Sequence, residues 1–152
     1  MKPASTHHAT FVIERHYPAT PARVFKAWSD PAAKARWFSA DGDWKSSGHR
    51  LDFRIGGHEH LRSTAPDGVY HIYDAHYLDL VPDQRIVYAY TMHLGETRIS
   101  VSLTTVEIST AAGGTRLVFT EQGAFLDGYD NVAQREAGTH ELLNSLGRSL
   151  PD

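Results

Sequence analysis

Apolar and polar positions along the chain follow two rhythms. From about residue 44 to residue 122 the large apolar residues recur at every second position. From about 20 to 37 and again from 131 they recur at every third or fourth, the period of a helix face. The segment 9–17, ATFVIERHY, is dense in β-branched and aromatic residues and predicts a first strand, ended by Pro18 and Pro21. Thr20 then stands as an N-cap with Pro21 at the first helical position. Val24, Phe25, Ala27 and Trp28 follow at helical spacing. Ser29-Asp30-Pro31 stops this helix, because the residue before a proline avoids the helical region. Asp30 caps a second short helix, from Pro31 to about Trp37.

The alternating stretch predicts about six further strands. His49 to Ile55 alternates through Leu51, Phe53 and Ile55, and Gly56-Gly57 reads as a bend or bulge that curves the sheet. His58 to Thr64 runs to the turn Pro66-Asp67-Gly68. Val69 to Leu80 ends at Pro82-Asp83. Arg85 to Leu94 puts Ile86, Tyr88, Tyr90 and Met92 on one face. Thr97 to Ile108 sets Ile99, Val101 and Leu103 opposite Ser100, Ser102 and Thr104. A hairpin turn at 112–114 leads into the last strand, Thr115 to Gln122, with Leu117 and Phe119 on one face.

After Asp127-Gly128-Tyr129-Asp130 the helical period returns. Val132, Glu136, His140, Leu143 and Gly147 fall on one stripe, widened by Ala133, Ala137, Leu142, Leu146 and Leu150. The predicted helix, Asn131 to Ser149, is about 28 Å long. A single antiparallel sheet has one face to bury, and this helix is the one element long enough to cover it. The expected fold is therefore α+β, a curved antiparallel sheet of six to seven strands gripping a long C-terminal helix. A cavity is expected between them, where such folds place ligands.

Composition narrows the classes. The 152 residues suit one domain (1–152, core about 9–150), and no repeat or linker divides them. Apolar residues make up 41% and charged ones 22%, an ordinary globular balance. Fifteen scattered Lys and Arg against 18 Asp and Glu argue against a nucleic-acid partner. The absence of cysteine excludes disulfides and thiolate chemistry. There is no signal-like apolar run at the N-terminus, and none of the ~20 residues that membrane insertion needs. A cytoplasmic location is the expectation. An open sheet leaves edges that proteins usually pair or cover, so a homodimer is plausible.

Candidate chemistry starts at residues 56–62, G-G-H-E-H-L-R. His58 and His60 share one face of a strand and Glu59 shares the other with Leu61. Leu61 is the large aliphatic residue here, so Glu59 is expected inside and the histidines outside. A zinc site needs three or four ligands and no third is evident, so no metal is expected. A carboxylate facing an apolar cavity should have a raised pKa, fit for acid/base work or for a polar ligand group. Pairing with Arg54 or Arg98 is the plain alternative. Glu121 shares the parity of Leu117 and Phe119, and His140 lies on the helix stripe. With Glu59 they form the candidate acid/base set. Trp37, Phe38, Tyr73, Tyr88, Tyr90 and Phe125, with Leu61 and Leu143, are the expected cavity lining, while Trp28 and Phe119 fit plain core. His71, His76 and His93 sit on strands without a settled parity. No G-x-S-x-G and no phosphate-loop spacing is present, so neither nucleotide, cofactor nor covalent catalysis is expected.

The phrase A-T-P-A-R-V-F-K-A-W-S-D-P (19–31) carries a resemblance, together with Trp37-Phe38, Gly56-Gly57, Pro66-Asp67-Gly68, V-P-D-Q-R-I-V-Y (81–88) and G-G-T-R-L (113–117). In order and spacing these resemble the START-like helix-grip superfamily, which includes the birch-pollen allergen fold and polyketide cyclases. Within it they are most similar to the branch named for the activator of the heat-shock chaperone ATPase. The resemblance spans about residues 11–150. It implies the helix-grip fold and bulky apolar residues where Glu59 and Leu61 stand. It often implies tryptophan near position 140, where this chain has histidine. Three functions follow as expectations: binding of a small apolar or aromatic ligand, a cyclase, hydratase or isomerase reaction in the cavity, and regulation of a chaperone. The name-giving co-chaperone engages its partner through an additional domain, which ranks the last reading third.

Overall fold

A computed structural model describes residues 2–39 and 42–151. Seven strands form one antiparallel sheet: β1 (Thr6–Tyr17), β2 (Lys45–Leu51), β3 (His58–Thr64), β4 (Tyr70–Val81), β5 (Arg85–Leu94), β6 (Thr97–Ala111) and β7 (Gly114–Leu126). Their order is β1-β7-β6-β5-β4-β3-β2, so chain neighbours pair from β2 to β7 and β1 closes against β7. The free edges are β1 and β2. Three helices complete the described residues: α1 (Pro21–Ser29), α2 (Pro31–Ala35) and α3 (Val132–Ser149). This is the α+β helix-grip architecture. None of the described helices is long and apolar enough to cross a membrane.

Each helix begins where its cap residue predicts. Thr20 Oγ1 accepts from Arg23 N at 3.2 Å and Asp30 Oδ2 accepts from Ala33 N at 2.9 Å. Asn131 Oδ1 accepts from Gln134 N at 2.9 Å. Each satisfies one of the N–H groups a helix start leaves unpaired. The second helix is shorter than expected, ending at Ala35, and Trp37 and Phe38 sit in the turn behind it.

The stretch around Gly56 departs from expectation. The second strand is Lys45–Leu51, not 49–55, because Gly48 takes a left-handed φ of 66° and the register shifts between Ser47 and Arg50. Phe53 and Ile55 lie in the β2–β3 loop, where Ile55 is 60% exposed. The Gly-Gly pair is that hairpin's close and not a bend within a strand. Asp52 N donates to His58 O at 2.8 Å and Gly57 N to Arg54 O at 2.7 Å. Two further backbone bonds with Tyr77 tie the loop to β4. Gly56 is required by its φ of 84°, and Gly57 by a close approach, since a Cβ there would collide with the Asp52 carbonyl oxygen.

In β6 the small polar residues Ser100, Ser102 and Thr104 turn inward, while Val101 and Leu103 face solvent. The last helix is rotated from its predicted stripe. Its inner face runs Arg135, Thr139, Leu142, Leu143, Leu146, Leu150, and Ala133 and Ala137 are exposed. Alanine demands little burial, so two alanines were a weak marker of the inner face. The C-terminal half of α3 is fixed firmly. Tyr17 OH donates to Leu143 O at 2.8 Å, Arg23 caps Leu150 O, and Gly147 passes close to the Tyr17 ring. Leu146 and Leu150 join Ile13, Tyr17, Val24 and Leu117 in the buried core there.

Candidate functional site

Between the sheet and the N-terminal half of α3 lies a cavity of about 650 Å³. This is a size suited to a small organic molecule. Its walls are aromatic: Trp28, Trp37 and Phe38 from the α1–α2 region, Tyr73 from β4, Tyr88 and Tyr90 from β5, and Phe119 from β7. Leu61, Met92, Leu142 and Leu143 add aliphatic surface. Ser39, Trp44, Gln134 and Gly138 line it and are also exposed, so they mark its mouth. Trp44 leans over His71 there, with ring centroids 5.6 Å apart. Two buried donors in this wall, Tyr73 OH and Trp28 Nε1, have no protein partner among the described residues. An unpaired buried donor costs about 1–3 kcal/mol, which a bound polar atom would offset.

One end of the cavity is polar. Glu121 is 1% exposed on β7, and Tyr90 OH donates to its Oε2 at 2.8 Å. Thr104 Oγ1 reaches Oε1 at 3.5 Å. Arg135, from α3, sits 3.6 Å from Oε2. Its Nη1 donates to Tyr90 OH at 2.9 Å, and its Nη2 donates to Ser100 Oγ at 2.8 Å and to Asp130 Oδ2 at 2.6 Å. Burial raises the Glu121 carboxyl above its ordinary value, while Arg135, Tyr90 and the β6 hydroxyls oppose that rise. It is therefore the carboxyl in the wall that takes up a proton more readily than an ordinary carboxylate, the property an acid/base group needs.

Glu59 faces inward, as its parity with Leu61 predicts, but it does not line the cavity. It is spent on an internal cluster. Lys34 Nζ donates to its Oε1 at 2.9 Å, Tyr77 OH donates to the same oxygen at 2.7 Å, and His49 Nε2 lies 2.9 Å from Oε2. Lys34 is fully buried, with its ammonium 4.4 Å from the Phe38 ring centroid and 5.1 Å from that of Trp28. The expected raised pKa is therefore corrected. Burial pushes Glu59 up, but the Lys34 charge and the hydrogen bonds from His49, Lys34 and Tyr77 outweigh it and hold the carboxyl at about 2. The partner is Lys34, not Arg54 or Arg98. A sequence reading had no access to that pairing, because it joins positions 25 residues apart.

This has a measurable consequence. In the unfolded chain Glu59 titrates near 4.3, so folding favours its ionised form. The gain is complete above about pH 5 and is lost as pH falls toward 2, amounting to about 3 kcal/mol. Glu121, with its raised value, acts in the opposite sense and adds stability as pH falls. Urea unfolding between pH 5.5 and 2.5 should therefore show a steeper acid decline in the wild type than in Glu59→Gln. Equal slopes would contradict the assignment.

The other predicted residues divide. Trp37, Phe38, Leu61, Tyr73, Tyr88, Tyr90, Glu121 and Leu143 line the cavity. Phe125 does not; it is buried beneath the Arg135 guanidinium, 5.4 Å from its ring centroid. His140 does not either. Its side chain is 42% exposed on the flank of α3, 2.8 Å from Arg15 on β1 and 3.8 Å from Glu136. Glu59, Glu121 and His140 thus do not converge. The pair His58 and His60 points away from the cavity: His58 meets the His76 ring edge-on, and His60 Nδ1 bonds Asp74 at 2.6 Å. Among the described residues no group of three or more His, Cys, Asp or Glu could hold a metal ion. Of the unsettled histidines, His71 lines the cavity, His76 faces out, and His93 is half-buried on β5. Arg135, Asp130, Gln134 and Thr139 were missed. Arg135 lies four residues before Thr139 and eight before Leu143, so a charge on the true inner stripe was the available signal.

The chain is similar to solved structures over nearly its whole length. An uncharacterised protein from Rhizobium leguminosarum is 53% identical, with 99% of each chain covered and a TM-score of 0.95. The Mll3558 protein from Rhizobium loti is 47% identical over 96% of this chain and 99% of its own, with a TM-score of 0.88. An AHSA1-like protein from Aeromonas hydrophila, 24% identical over 94% and 92%, shares the fold with a TM-score of 0.70. No curated protein matches. The family model described as activator of Hsp90 ATPase homolog 1-like protein matches residues 18–150. With its sheet, gripped helix and that match over most of its length, the chain belongs to the activator of Hsp90 ATPase homolog 1-like family.

Proposed function

We propose that this protein binds a small, largely apolar or aromatic molecule in the cavity between the sheet and α3. One observation carries the reading: a space of about 650 Å³ walled by aromatic rings, with polar groups gathered at one end. A core meant only for stability would be filled, because protein interiors pack with few voids. The family match supports a ligand-binding START-like domain in general and names no ligand. Within the cavity Glu121 is the group suited to proton transfer, should the bound molecule react. Glu59 and His140 are not, since neither lines the cavity.

The test uses Gly138, which lies at the mouth with nothing within 4 Å of an added Cβ. Leucine there extends into open space and favours the helix by up to about 1 kcal/mol over glycine. Wild-type protein should bind N-phenyl-1-naphthylamine, an uncharged apolar probe, and gain melting temperature with its concentration. Gly138→Leu should melt at or above the wild-type temperature and bind the probe at least about tenfold more weakly, since the 1.4 kcal/mol this represents is small beside a lost apolar contact. Undiminished binding by the variant would place the probe elsewhere and refute the reading.

A further inference from the structure

We infer that the cavity selects molecules whose polar head is an uncharged hydrogen-bond donor, such as an alcohol or amide N–H on an apolar frame, and discriminates against carboxylates. The inference rests on the binding reading above and adds the polarity of the head group. Its basis is the hydrogen-bond ledger at the polar end of the cavity.

Arg135 is the one Lys or Arg side chain among the described lining residues. An arginine on a cavity wall suggests a carboxylate ligand, taken by two parallel N–H donors. Here that fork is closed. Both terminal nitrogens already donate within the protein, to Tyr90, Ser100 and Asp130, and Nη1 also faces Glu121. The charge is likewise answered, since Asp130 and Glu121 place two carboxylates against one guanidinium. Lys34, the other buried cation, pairs with Glu59 and does not line the cavity.

The start of α3 offers an anion no better site. Asn131 Oδ1 already accepts from Gln134 N, and Asp130 Oδ1 accepts from Asn131 N at 2.8 Å. The positive end of the helix is thus met by the chain's own oxygens. At the rim, burial holds His71 below its ordinary pKa, which favours its neutral form.

At this end of the cavity acceptor capacity is in surplus, while the wall's two donors without a partner among the described residues, Tyr73 OH and Trp28 Nε1, can take the oxygen that an uncharged alcohol or amide head also carries. A carboxylate has about four acceptor positions. Glu121 Oε2 takes the Tyr90 hydroxyl, while the β6 hydroxyls approach the carboxylate loosely: Thr104 Oγ1 reaches Oε1 at 3.5 Å, and Ser102 Oγ lies near without a hydrogen bond of ordinary length. A donor arriving from the cavity would find Oε1 ready. An anion arriving there would meet a like charge in a desolvated place, which costs several kcal/mol.

The experiment compares 2-naphthalenemethanol with 2-naphthoate, near-isosteric heads on one frame, by calorimetric titration at pH 7.5 against the full chain. The alcohol should bind at least about tenfold more tightly. In Glu121→Gln, folded by circular dichroism, the preference should shrink several-fold, because the amide removes the repelling charge and keeps the shape. A carboxylate that binds as tightly as the alcohol overturns the inference, and so does a Glu121→Gln variant with the full preference. If phenylnaphthylamine binds while the alcohol holds no advantage over naphthoate, the head-group inference fails alone. If none of the three probes binds, the binding reading fails and the inference with it.

Discussion

Replacing Lys34 with methionine lowers the free energy of unfolding by about 3–5 kcal/mol, the range for breaking a buried ion pair from one side. For a chain of this length that moves the melting midpoint by on the order of 10 °C. Lys34 is fully buried and lies over Phe38, Trp28 and Trp37, with Glu59 its one carboxylate partner among the described residues. Methionine keeps most of the stem's packing but leaves the Glu59 charge among aromatic rings, held by His49 and Tyr77 alone. The loss is that of an uncompensated buried charge. It follows that adding Glu59→Leu to Lys34→Met should return much of the stability, because a buried pair made wholly apolar is often neutral. Recovery stays incomplete, since Tyr77 OH loses its acceptor at a cost of about 1–3 kcal/mol. Urea unfolding of the wild type, the single variant and the double variant decides it. A single variant as stable as the wild type, or a double no better than the single, contradicts this account.

Gly57→Ala has the second large effect, about 3 kcal/mol of destabilisation, at the upper end of what overpacking costs. The added methyl meets backbone oxygens of Asp52 and Arg54, which cannot swing aside as a side chain would. Relief requires opening the β2–β3 loop, including the bonds that hold it to Tyr77 and so stand beside Glu59. Gly56→Ala is the instructive neighbour. Nothing lies within 4 Å of its Cβ, and its penalty is the left-handed φ alone, about 1–2 kcal/mol. Thermal unfolding should therefore rank Gly57→Ala below Gly56→Ala. The reverse order would mean that backbone conformation, not crowding, governs this turn.

Much of the frame was legible because its signals are local. A cap residue with proline behind it announces α1 and α2 within four positions, and the alternation of Ile86, Tyr88, Tyr90 and Met92 shows the inner face of β5 directly. The β2 boundary was not legible, because a glycine in a left-handed conformation shifts the register and ends the meaning of alternation at Phe53 and Ile55. For the site, parity placed Glu59 and Glu121 inside but said nothing of their partners. Lys34 and Arg135 decide what the two carboxylates do, and both arrive from distant elements. The helix face was misjudged for a related reason. The stripe was drawn through Val132, Glu136 and His140, yet Arg135 is the charged residue admitted inside, by Asp130, Glu121 and Ser100, while His140 is left on the flank with Arg15.

The two halves of α3 stand under different obligations. From Leu143 onward the helix is committed to the core through Leu146, Leu150 and the bond from Tyr17, so changes there are changes to the scaffold. From Gln134 to Leu142 its inner side lines the cavity, and on the binding reading changes there alter what the cavity can accept. A single helix thus separates folding from selectivity along its own length. On the binding reading, relatives built on this frame can diverge in what they hold at the equivalent of Gly138 at little risk to the scaffold, whereas a change at Arg135 has to be matched at Glu121 and Asp130, whose charges it answers.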